Sequence, residues 1–145
     1  MKTPIALFLS LFFLGTSQIV RAQNQDAILG TWWNTEKSAK IEIIKNDDVY
    51  LGKIIFLTRE ENGEGPFLDT ENSDPDLRDR PLMGLSILSG LKYNKGAWED
   101  GEIYDPESGK TYSCEVKLEG EDKLKVKGYI GVSWVGRTVE WTRIK

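Results

Sequence analysis

The chain is expected to be all-β, folding as a single antiparallel up-and-down β-barrel of about eight strands, and three features predict this. Nothing in the sequence reads as a long amphipathic helix. Short alternating or apolar runs recur instead, separated by Gly, Pro, Asn and Asp, which is the period and punctuation of strands and tight turns. Third, Gly30-Thr31-Trp32 near the start is answered by Arg137 and Arg143 in the last candidate strand. Closing a sheet sets its first and last strands side by side, and a guanidinium over an indole face gains roughly 0.5–2 kcal/mol. Trp32 with Arg137 or Arg143 is therefore assigned a structural role, at the seam of a barrel that has no exposed edge.

The first 22 residues stand apart from that pattern. Met1-Lys2-Thr3 is a short positive start, Pro4 to Leu14 is an apolar run, and Val20-Arg21-Ala22 supplies small residues where a signal peptidase reads. The run falls well short of the roughly 20 residues needed to span a bilayer, so it predicts an export signal cleaved after Ala22, not a transmembrane anchor. The remaining residues, 23–145, make one domain. Of 19 basic side chains, Lys2 and Arg21 leave with the signal. The 17 that remain face 23 acidic ones, a net charge of −6 that argues against nucleic acid or an anionic lipid surface as partner. The expected location is exported, periplasmic or secreted.

Candidate strands in the mature chain are Ile28–Trp33, Ala39–Ile44, Val49–Leu57, Gly84–Tyr93, Ala97–Tyr104, Lys110–Leu118, Lys123–Ile130 and Ser133–Arg143. The turns between them are rich in Asn, Asp and Gly, as around Asn46-Asp47 and Asn94-Lys95-Gly96, so neighbouring strands are expected to pair as hairpins. Leu124, Val126 and Gly128 alternate with Lys123, Lys125 and Lys127, giving one dry face and one wet face. The single cysteine, Cys114, shares its face with Tyr112, Val116 and Leu118, which predicts a buried thiol. A barrel of eight strands sits at the size where inward side chains either fill the centre or leave room for one small ligand.

Thr58 to Pro81 breaks the hairpin rhythm. Polar stretches this long within a compact domain are usually functional or disordered, and the mixed charges here favour a third option, a self-stapled cap over one mouth of the barrel with Arg78 and Arg80 paired to nearby carboxylates.

The residue inventory excludes most chemistry. The chain contains no histidine, which removes histidine-based acid/base catalysis, Ser-His-Asp and Cys-His nucleophile activation, and the ordinary zinc shells. Asp69, Asn72, Asp74, Asp76 and Asp79 offer oxygens, but their spacing is not that of a calcium loop, Pro75 intrudes, and two arginines compete for the carboxylates. Gly63 and Gly65 lack the lysine and the strand-turn-helix setting of a phosphate loop. No metal, cofactor or catalytic residue is assigned. An enzyme using arginine and carboxylates alone is the least supported class.

Five tryptophans and five tyrosines are a large aromatic inventory for such a domain, serving either as core or as pocket wall. Trp98 and Trp134 lie near strand ends, where a mouth would be. Leu85, Ile87, Trp98, Tyr112 and Val126 are the candidate lining for a small apolar or amphipathic ligand.

An ordered set of short motifs runs through the mature chain: Gly30-Thr31-Trp32, Gly52-Lys53-Ile54, Asp69 with Asn72-Ser73-Asp74-Pro75, Leu77 to Leu85, Gly101 to Pro106, Gly109 to Tyr112, Leu124 to Gly128, Gly136-Arg137-Thr138 and Trp141-Thr142-Arg143. Taken together it resembles the exported bacterial family known as domain of unknown function 2147, over nearly the whole mature length. The resemblance implies a lipocalin-like or calycin-like barrel of the envelope or secreted space, with no established enzymatic activity. Asp69, Asn72, Asp74, Arg78, Arg80, Pro81 and Gly84 match the family's most distinctive stretch. Tyr104, Asp105, Pro106, Gly109 and Tyr112 match its second. Many relatives carry a cysteine soon after the second strand, whereas Asn46 to Leu51 holds none here, so any disulfide in them does not carry over.

Two functional classes follow. The first is a barrel binding a small apolar or amphipathic molecule, with Thr58 to Pro81 covering one end. The second is an envelope protein-interaction module whose interior is filled and whose protein partner the sequence does not name.

Overall fold

The structure, a computed structural model, describes residues 24–132 and 135–145. The expected export signal and Trp134 lie outside these residues. The strands are β1 (Gly30–Trp33), β2 (Ala39–Asn46), β3 (Val49–Leu57), β4 (Ser86–Asn94), β5 (Ala97–Asp105), β6 (Lys110–Glu119), β7 (Lys123–Tyr129) and β8 (Gly136–Arg143). A one-turn helix, Thr58–Glu61, and a 3-10 turn, Pro75–Leu77, fall between β3 and β4. Each strand pairs antiparallel with the next, and β1 pairs with β8 through Trp32↔Arg143 and Trp33↔Thr142, so the sheet is a closed barrel in sequence order.

Up-and-down order puts alternate connections at opposite ends. The segment before β1 and the turns after β2, β4 and β6 form a floor. The turns after β1 and β5, the long β3–β4 connection and the β7–β8 connection surround the other end, the mouth.

The floor is built on Trp32. Its ring is fully buried, and its indole N–H donates to the Ile28 carbonyl at 2.9 Å. The Arg143 guanidinium lies 4.1 Å from the indole centroid. Arg143 also donates Nη1 to the Leu29 carbonyl (2.9 Å), Nη2 to the Ala27 carbonyl and Nε to the Glu121 carbonyl (2.7 Å). One side chain thereby ties the first strand, the segment before it and the β6–β7 turn together. Of the two candidate arginines, the seam uses Arg143. Arg137 faces Gly128 at the far end of β8 and is exposed, because the register of β8 carries it away from Trp32.

Above the floor the centre is filled. Trp98 sits among Tyr50 and Tyr93, with ring centroids at 6.4 and 5.2 Å, and its N–H donates to the Gln25 carbonyl at 3.0 Å. Asp26 accepts from Tyr50 Oη (2.7 Å) and Lys45 Nζ (2.9 Å), fastening the leading segment to β2 and β3. Gly52 and Gly101 make room for Leu88 and Leu91. A Cβ at Gly52 would lie 2.9 Å from Leu88 Cβ, and one at Gly101 would lie 2.6 Å from Leu91 Cγ. Leu88, Leu91, Trp98, Cys114, Val116 and Leu124 are all 0 % exposed, so no water-sized space touches them. Of the two options left open by strand number, this part of the barrel takes the filled one.

Two measurements test this packing. Replacing Arg143 with Met is expected to lower unfolding free energy in urea by about 2–4 kcal/mol, since a cation-π contact and charge-assisted bonds to three carbonyls go together, whereas Arg137→Met stays within about 0.5 kcal/mol. Burial, with a smaller contribution from Glu115, pushes the Cys114 thiol up to about 12. Native protein is therefore expected to resist a thiol reagent at about pH 8 and to react fully once unfolded.

Candidate functional site

Strand alternation decides which side chains meet at the mouth. Ile103 and Tyr112 are register partners, Cys114 pairs with Gly128, and Gly128 pairs with Arg137, so these residues share the inner face. Ile103, Tyr112 and Val139 are half-buried there, and so is Leu85, which packs against the core just before β4. Arg137 shares its face with Val139 and Trp141, yet it is exposed and makes no hydrogen bond or ion pair among the described residues. The inner wall therefore passes from packed core, through a partly open apolar ring, to a guanidinium with no partner among the described residues. Beyond the rim, Ile130, Val132 and Val135 are 75, 48 and 54 % exposed.

The five expected lining residues divide. Leu85 and Tyr112 are at the mouth. Ile87 is buried where the long connection meets β4, at an irregularity in the β3–β4 register. Val126 lies in the packed centre between Val116 and Val139, 1 % exposed. Trp98 was expected near a mouth but opens β5 at the floor, where the leading segment covers it. Ile103 and the position of Arg137 were missed as mouth residues. Counting alternate positions back from Trp141 along β8 would have found the arginine.

The two distinctive motif stretches meet outside the barrel. Tyr104 follows the inward Ile103 and therefore points outward. Its hydroxyl donates to Oδ1 of Asp69, which is completely buried. Oδ2 of Asp69 accepts from Asn72 Nδ2 (2.8 Å) and Arg80 Nε (2.8 Å), and the Asp69 N–H donates to the Arg80 carbonyl (3.0 Å). Asn72 Oδ1 accepts from the Asp74 N–H, and Arg78 Nε donates to the Asn72 carbonyl at 2.7 Å. The Asp74 carboxylate caps the 3-10 turn by accepting from the Asp76 N–H, Pro81 bridges back to Leu68, and the Gly84 N–H donates to the Ile54 carbonyl. On the other side Asp105 accepts from the Glu107 N–H and Ser108 Oγ, shaping the turn that contains Pro106. Gly109 in that turn has φ +68°, and a Cβ there would lie 1.8 Å from the Glu71 carbonyl oxygen, so only glycine allows the two stretches to touch.

This corrects two expectations. The polar part of Thr58–Pro81 braces the outer wall of β5 and β6 and does not roof the mouth, because Tyr104 holds it from the outer face. Of the two arginines, only Arg80 meets a carboxylate; Arg78 serves a carbonyl. Among the described residues no three of His, Cys, Asp and Glu converge as a metal shell, and the buried carboxylate is engaged by Asn72 and Arg80 of its own loop and by Tyr104 of β5. No helix among them is long and apolar enough to cross a membrane.

Burial opposes charge on Asp69, but the hydrogen bonds from Tyr104, Asn72 and Arg80 outweigh it and hold the carboxyl below its ordinary value. The stability it contributes is thus complete above the unfolded carboxyl value near 4 and is lost as pH falls through the lower folded value. Asp69→Asn is expected to cost about 2–4 kcal/mol at neutral pH, towards the low end of a broken buried pair because Arg80 is part-exposed, and to flatten stability between about pH 5 and 2. Urea titrations across that range check both.

The profile of the bacterial family described as "Uncharacterized protein conserved in bacteria (DUF2147)" matches residues 30–143, from the first residue of β1 to the last of β8. Among solved structures the chain is similar to HP1028 of Helicobacter pylori, described as belonging to the lipocalin family, with a TM-score of 0.66 and 26% identity, over 74% of this chain and 73% of that one. No curated protein matches the chain in sequence. Residues, register and closure agree with these likenesses: the protein is a lipocalin-like eight-stranded barrel that belongs to the DUF2147 family.

Proposed function

We propose that this protein binds a small amphipathic molecule with an anionic head at the mouth of its barrel, after export and cleavage behind Ala22. The observation that carries the reading is the inner face itself, where Leu85, Ile103 and Tyr112 are half-open and Arg137, on the same wall, has no partner among the described residues. An apolar tail entering there gains about 25 cal/mol per Å2 buried, and a carboxylate or similar head on Arg137 gains a charge-assisted bond. The filled centre below limits entry to the end of the tail. The role is binding, not catalysis: the chain has no histidine, and Asp69 is occupied in holding its loop.

The second reading, a protein-interaction module with a filled interior, draws on the exposed Ile130, Val132 and Val135 at the same rim. Laurate and dodecanol separate the two when titrated by calorimetry. Saturable laurate binding is expected, with Arg137→Gln weakening it about tenfold while leaving dodecanol unchanged. Absence of binding by either probe removes the ligand reading in favour of the module. An exported product whose mature N-terminus is Gln23 is expected by mass spectrometry, and a chain retaining residues 1–22 would overturn that part.

A further inference from the structure

The outer wall holds a second concavity, separate from the mouth. Between the braced loop and the outward side chains of β4 to β6 lies a cleft of about 340 Å3, within the size range of small-molecule sites. Ser89 and Glu102 are register partners on its wall, Thr111 lies beside Tyr104, and the loop contributes Leu77 and Arg80.

Unused donors and an unpaired carboxylate face this small space, beside the Asp74 carboxylate that caps its own turn. Arg80 commits only Nε to Asp69, and its terminal amino groups have no hydrogen-bond partner among the described residues, while its side chain remains 35% exposed. The buried carboxylate and the Tyr104 ring, 5.7 Å from the guanidinium carbon, fix the direction in which those donors point. Glu102 is exposed on the same cleft and makes no ion pair or hydrogen bond among the described residues. Arg80 and Glu102 do not pair with each other, although both border the cleft.

Arginine donors and a carboxylate that border one cleft without pairing, together with Ser89 and Thr111, match a molecule carrying both charges. A lone anion would leave Glu102 facing it, and a lone cation would leave the terminal donors of Arg80 unused. We infer that this cleft is a binding site for a free α-amino acid, whose carboxylate meets the outer edge of Arg80 and whose ammonium meets Glu102. Leu77 and Ile87 supply apolar contact for the side-chain methylenes.

The test is an NMR titration following the backbone amides of Ser89, Glu102 and Thr111 in the full mature chain. L-glutamine is expected to shift them saturably. N-acetyl-L-glutamine, which lacks the ammonium, and L-glutaminol, which lacks the carboxylate, should each bind about tenfold more weakly, one charge-assisted bond being lost in each case. Glu102→Gln is expected to weaken L-glutamine to the level of the N-acetyl analogue. No shift with L-glutamine, equal binding of either analogue, or equal binding of glucose, which would mark a hydroxyl-reading site, overturns the assignment. Because the readout sits on the outer wall, its failure leaves the mouth reading untouched.

Discussion

Closure of this barrel depends on one guanidinium. Strand β1 is only four residues long and meets β8 through two residue pairs, too little ladder to hold a seam by backbone bonds alone. Arg143 compensates by acting in three directions, over the Trp32 ring, onto two carbonyls of the leading segment and onto the β6–β7 turn. The indole in turn fastens to Ile28, so the leading segment closes the floor as a plug covalently continuous with β1. Everything packed above, from Tyr50 and Trp98 to Val126, relies on that closure to stay dry.

A second polar centre plays a comparable part outside. Asp69 is a carboxylate taken fully out of water on the surface of a β-barrel, which is tolerable only because three donors converge on it. It turns a long polar connection into a fixed wall, and the docked turn around Gly109 seals its edge. Floor and brace use one device: a charged group whose partners come from segments far apart in sequence. The barrel is thereby held rigid at one end and shaped on one flank, while the mouth keeps its half-open apolar ring.

Much of this was legible in the chain because it rests on short-range rules. Period-two alternation and turn residues located all eight strands, and the predicted β3 bounds agree with those observed. The pairing of Trp32 with an arginine followed from closure alone. Choosing Arg143 over Arg137 required the register, since the two differ by six positions along one face and thus stand at opposite ends of β8. Trp98 was misplaced because a position near a strand end does not say which end. The packed centre depends on Leu88 and Leu91 entering the space left by Gly52 and Gly101, and the shifts in the β3–β4 and β5–β6 registers that align them have no local signature. The brace was hidden for a related reason: Asp69 and Tyr104 look ordinary until the fold brings them together.

The seam has a kinetic meaning as well. Six of the seven pairings between consecutive strands are hairpins that can form while the chain is still local, and β3 meets β4 across a longer connection, whereas the Trp32–Arg143 contact must wait for nearly the whole domain to be in place. Until that contact forms, the outer edges of β1 and β8 present bare amide and carbonyl groups to other molecules. A latch that combines stacking with several bonds to one side chain keeps those edges covered, so its value to the protein lies as much in avoiding self-association as in the stability of the finished barrel.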